Sequence, residues 1–162
     1  MPSIDTGKLE ALMSDLESYV PQHALLRSNV SKGNIGWHIE HSLLTIDAVV
    51  NALKKSDGQK YKPGFHFGRL YVLTFGKIPR GKVKAPAVVQ PVADYDSVSL
   101  QLHLLQCREN LKTIEQLTSN HFFTHPFLGD FKLIPAIKFL GIHTHHHVKI
   151  IRDIVEDNDR AV

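Results

Sequence analysis

Apolar residues recur at intervals of three and four in four stretches of the chain, and each stretch predicts an amphipathic helix. In the first, from about Asp5 to Val20, Leu9, Leu12, Met13, Leu16 and Val20 share a face, Asp5 or Thr6 can cap, and Pro21 ends the run. The second begins near Ser31 and continues to about Lys55. It carries one stripe of Trp37, His41, Leu44 and Ala48 and a neighbouring stripe of Ile39, Leu43, Ile46 and Val50, so burial on more than one side is expected. The third opens at Asp96 or Ser97 and places Leu100, Leu104, Cys107, Leu111, Ile114 and Thr118 on its apolar face. In the fourth, from about Leu133 to Asp157, the stripe reads Leu133, Ile137, Leu140, His143, His147, Ile151 and Ile154. Pro135 falls in the first turn of that helix, where its missing amide has no intrahelical partner to lose.

The polar and glycine-rich interval from Asp57 to Ala93 separates the second and third helices and holds five of the ten glycines and four of the eight prolines. It has room for one short helix, about Phe65 to Phe75. A connection of this length inside a compact domain crosses from one end of a bundle to the other or covers a site. The second and third helices can then run parallel, which predicts an all-α fold: a four-helix bundle with a long crossover between helices 2 and 3. With 162 residues, 43% of them hydrophobic, the chain supports a single domain over residues 1–162.

Composition narrows the chemistry. No run approaches the roughly 20 apolar residues that cross a bilayer, and the N-terminus has no apolar signal core, so a soluble cytoplasmic protein with no membrane partner is expected. Cys107 is the only cysteine, which excludes an intrachain disulfide and thiolate zinc sites. Its place on the apolar stripe makes it a small buried hydrophobe. The net charge is +3, and between Gly58 and Ala93 stand Lys60, Lys62, Arg69, Lys77, Arg80, Lys82 and Lys84 with no Asp or Glu. The simpler reading is a solvated loop. The other is an anion-receiving surface toward a substrate, with Arg69, Arg80 and Lys82 as its candidates. Nucleic acid is not an expected partner, because interleaved aromatic platforms and a base-reading helix are missing.

The eleven histidines carry the strongest signal, and the run His143-Thr144-His145-His146-His147 carries most of it. At about 100° per residue, His143 and His147 lie one turn apart on one helical face, while His145 points roughly 200° away. His41 lies on the apolar stripe of the second helix. From the helix lengths, all three reach the middle of the bundle, roughly 15–21 Å from a helix end. Buried imidazoles left unsatisfied are costly, so their convergence points to a divalent metal held by His41, His143 and His147; the rival is a pH-sensitive or purely surface histidine cluster, which His145 alone resembles. His38 and His146 are candidates to orient those ligands or to line the cavity. His121 and His125, in the loop expected before the fourth helix, read as structural, and His23, His66 and His103 have no evident partner in sequence. A metalloprotease is excluded because Thr144 stands where the water-activating Glu would follow the first histidine. Di-iron Glu-x-x-His pairs and nucleotide-binding glycine motifs are also absent.

Three blocks resemble the DinB-like superfamily of metal-dependent four-helix-bundle proteins. They are Gly36-Trp37-His38-Ile39-Glu40-His41-Ser42-Leu43, His125-Pro126-Phe127-Leu128-Gly129, and Ile142-His143-Thr144-His145-His146-His147-Val148-Lys149-Ile150-Ile151. The resemblance covers nearly the whole chain. It implies a bundle with the long crossover, a homodimer, and a metal held by His41, His143 and His147. Ile150 stands where a Gln often follows the histidine block in such proteins. Thiol-dependent isomerases and S-transferases of the superfamily further imply a low-molecular-weight thiol cofactor. The expectation is therefore a metal-dependent enzyme of transferase, isomerase or hydrolase type acting on a small molecule. Its alternative is a non-catalytic, stress-associated bundle stabilised by its ion. Imidazole suits zinc, nickel and iron alike.

Overall fold

A computed structural model describes residues 4–81, 85–92 and 95–161. The chain is mostly helical. Its order is α1 (Gly7–Ser18), α2 (Ile35–Lys55), α3 (Phe67–Phe75), α4 (Ser97–Lys112), a hairpin of β1 (Phe122–His125) and β2 (Gly129–Lys132), and α5 (Leu133–Arg160). Short 3₁₀ turns fill several joints, among them Val20–Gln22, Ala87–Val89 and Thr113–Gln116.

Local chemistry sets the helix boundaries. α2 starts four residues later than its periodicity suggests, because the Asn34 side chain accepts from Trp37 N–H at 2.8 Å and caps the helix there. α4 opens in a capping box: the Asp96 carboxylate accepts from Ser99 N–H, and Ser99 Oγ accepts from Asp96 N–H. Gly76, with φ of 61°, ends α3 in the left-handed conformation that a residue with a Cβ adopts only at a cost. Pro135 does occupy the first turn of α5, which runs on to Arg160 without interruption.

One core joins the long helices. α2 packs against α4 and α5, and α1 packs against both α5 and α4. Met13, Leu16, Ile35, Ile39, Leu43, Ile46, Leu100, Leu104, Leu140, Val148 and Ile151 are fully buried between them. Cross-helix pairs fix the directions. Glu40 meets His103 and Asp47 meets Asn110, so α2 and α4 are parallel. His38 meets His147 while His41 lies beside His143, so α2 and α5 are antiparallel. The segment between α2 and α4 thus returns the chain to the end of the molecule at which α2 began. Among the described residues, no helix is long and apolar enough to cross a membrane.

The hairpin departs from the expected loop before the last helix. Phe122 pairs with Lys132 and His125 with Gly129, and the rings of Phe123 and Phe131 stack at 5.2 Å over Phe139 of α5. Gly129 turns the chain at φ of 72°, where a Cβ would lie 2.6 Å from the His66 ring. α3 leans on this hairpin, with Arg69 hydrogen-bonded to the carbonyl oxygens of Asp130 and Gly64.

Candidate metal centre

The first turns of α2 and the middle of α5 meet in the core. There His41, His143 and His147 each offer a ligand nitrogen, and these nitrogens lie within 4.8 Å of one another. Helical spacing brings His143 and His147 to ring-centroid separations of 5.0 and 4.7 Å from His41 on the facing helix. His41 and His147 are 4% and 7% exposed. The indole of Trp37 stacks on His41 with centroids 4.9 Å apart and restricts that ring to one orientation.

Each histidine also has a defined surrounding. His41 Nδ1 donates to the carbonyl of Val89 at 2.6 Å, so its Nε2 is the atom free to coordinate. That carbonyl belongs to the 3₁₀ turn Ala87–Val89 of the crossover, which closes against α2. His147 Nδ1 lies 2.9 Å from His38 Nδ1, and His38 Nε2 lies 2.8 Å from Ser31 Oγ. His143 Nδ1 is buried and, among the described residues, has no hydrogen-bond partner. An unsatisfied buried imidazole nitrogen is the kind of cost that coordination or an adjoining ion relieves, so these residues fit a metal.

Electrostatics favours the same use. Burial, followed by the fields of neighbouring histidines, pushes His143 and His147 well below the ordinary histidine value of 6.5. Burial lowers His41 as well, against the opposing hydrogen bond to Val89. His38 is lowered to about 3, by burial first and then by His41, His146 and Arg80. The cluster is neutral at pH 7, the state in which imidazole binds a cation without first releasing a proton.

The other candidates fall in several places. His146 sets its ring edge-on to His147 at 5.1 Å, and burial, then Arg80, lowers it to about 4. His145 stands apart in the fields of Lys149, Lys8 and Arg152, toward α1. Arg80 forms a salt bridge to Asp153 of α5 at 2.7 Å. Arg69 is engaged by the backbone carbonyls of Asp130 in the hairpin and Gly64 in the loop before α3, and lies over the Phe131 ring. Lys82 lies outside the described residues. His125 reaches nearer the centre than a purely structural loop residue would: its ring meets Phe139 at 5.2 Å, and its charge would act on His143.

Two features had little or no signal in sequence. The Val89 carbonyl is a backbone acceptor on a segment without periodicity, so nothing marked it. His103 has partners on α2: its Nδ1 faces the Glu40 carboxylate at 2.9 Å, and its Nε2 faces Asp47 at 2.9 Å. The signal was Glu40 and Asp47, the two acids of α2, seven residues apart. Comparison with models of known protein families, with curated proteins and with solved structures finds no match to this chain.

Proposed function

We propose that His41, His143 and His147 hold one divalent metal ion, and that the protein is a metal-dependent enzyme acting on a small molecule at the coordination position they leave open. The observation that carries this reading is the convergence of three neutral, mostly buried imidazoles to within 4.8 Å from two different helices. Three neutral ligands leave the ion's two positive charges uncompensated, which favours binding and deprotonation of a thiol or water near neutral pH. A low-molecular-weight thiol is the proposed co-substrate, and transfer, isomerisation or hydrolysis the reaction class. In this reading α1, α2, α4 and α5 form a four-helix bundle of DinB-like type. The parallel course of α2 and α4 supports it.

A second reading has its own support. A cavity of about 430 Å³ lies between α2, α4 and the crossover, lined by residues such as Glu40, Val88, Tyr95 and His103, and none of the three histidines lines it. The burial of His41 and His147 suits an ion that stabilises the fold without catalysis. The test is to incubate tag-free protein, loaded with zinc or nickel, with cellular thiols and electrophiles or hydrolysable esters. Turnover abolished by His143→Ala supports the enzyme. No turnover, together with a large drop in melting temperature on chelation, supports the structural ion.

A further inference from the structure

The two ligands that are tied through Nδ1 are tied differently. His41 Nδ1 faces a carbonyl, which only accepts, so its proton position is fixed. His147 Nδ1 faces His38 Nδ1 at 2.9 Å, and an imidazole nitrogen either donates or accepts. Beyond it, His38 Nε2 is 2.8 Å from Ser31 Oγ, which also accepts from Gly33 N–H at 3.1 Å. His38 is 3% exposed, so bulk water does not decide among its protonation patterns.

Two arrangements satisfy this chain with both rings neutral. In one, the Ser31 hydroxyl donates to His38 Nε2, His38 Nδ1–H donates to His147 Nδ1, and His147 carries its proton on Nε2. In the other, His147 Nδ1–H donates to His38 Nδ1, His38 Nε2–H donates to Ser31 Oγ, and His147 Nε2 keeps a free lone pair. Each residue holds one proton in both; the ring protons change nitrogens and the serine hydroxyl turns. Only the second leaves His147 able to coordinate through the nitrogen not already occupied by His38.

We propose that His38 is a positioning residue for the metal centre: by accepting from His147 Nδ1 and donating to Ser31, it holds His147 in the tautomer that coordinates through Nε2. Metal binding selects this arrangement of a two-state chain. The inference rests on the metal reading of the three histidines. Orienting partners of this kind typically change metal affinity by about 10–100-fold when removed.

The experiment uses the full chain loaded with zinc. Long-range proton–nitrogen NMR of the histidine rings should show His38 protonated at Nε2 and His147 protonated at Nδ1. Chelator competition should give a zinc affinity about 10–100-fold weaker for His38→Phe, and an affinity restored to within about threefold of wild type for His38→Gln, whose amide oxygen accepts. Metal-free melting curves separate this loss from misfolding. If His38→Phe fails to fold, the wild-type spectrum alone decides. A zinc-loaded spectrum with His38 protonated at Nδ1, or equal zinc affinity in a folded His38→Phe, overturns the proposal. If His147→Ala loses zinc while His38→Phe does not, the positioning role alone falls. If folded wild type binds no zinc, the metal reading falls and takes the role with it.

Discussion

His103 should act as a charged clasp between α2 and α4, with a stability signature at alkaline pH. Both its ring nitrogens face carboxylates, which only accept, so the bridge requires the imidazolium. Burial alone would lower its pKa, but hydrogen bonds and charge from Asp47 and Glu40 outweigh burial and push it up to about 9. A pKa raised in the folded state adds stability that is complete below the unfolded value near 6.5 and is lost as pH rises through about 9. A shift of that size caps the contribution at about 3 kcal/mol, and solvent screening of a partly exposed group reduces it to about 1–2 kcal/mol. The assay is urea unfolding of wild type and His103→Gln at intervals from pH 6 to pH 10. The stability difference should be largest at pH 6, shrink steadily between about pH 6.5 and pH 9 and approach a small constant at pH 10. A difference that does not change with pH would show that His103 is neutral and that the clasp is ordinary packing.

The metal-free protein should weaken on the acid side, because His38, His143, His146 and His147 are held below their ordinary values by burial and by neighbouring charges. A lowered folded pKa gives stability that is present above the unfolded value and lost as pH falls; each histidine kept neutral contributes a slope of up to about 1.4 kcal/mol per pH unit below about 6.5. Unfolding curves at pH 7, 6 and 5 check this, and equal stability at all three would refute it. Gly36→Ala should cost about 1–3 kcal/mol, since its Cβ would lie 2.5 Å from the Tyr95 ring and 3.1 Å from the His23 carbonyl; a melting curve like wild type would contradict it. Gly141→Ala should raise stability by about 0.5–1 kcal/mol, because a Cβ there meets nothing within 4 Å among the described residues and the helix gains propensity; thermal melts would reveal an unexpected loss.

What could be read in the chain depended on period. α1, α4 and α5 followed from stripes at three and four, since a helix that buries one face repeats its apolar residues that way, although the stripe of α4 overran its end: the helix stops at Lys112, a 3₁₀ turn carries Ile114, and Thr118 lies outside it. The same period set His143 and His147 on one face, and His41 joined them by its place on the stripe of α2. Ser31 and Asn34 are both competent caps for α2; the Asn34 side chain takes Trp37 N–H, while Ser31 Oγ is engaged by Gly33 N–H and His38, a difference that spacing does not reveal. The hairpin leaves no periodic signal because four-residue strands are too short for alternation to stand out, although Phe123 and Phe131 point the same way across it. Contacts between segments far apart in sequence left little local trace: nothing marked the Val89 carbonyl, and Glu40 and Asp47 stood out as acids without naming their partner. Val89 reaches His41 and His103 reaches Glu40 and Asp47 through the fold, not through spacing.

The most direct test of the central claim is metal content. Tag-free wild-type protein and the His41→Ala, His143→Ala and His147→Ala variants would be equilibrated with zinc, freed of excess metal and analysed by mass spectrometry of the element. The account predicts one tightly held ion per wild-type chain and a large loss in each variant that still folds. Equal zinc in wild type and in folded His143→Ala would contradict it.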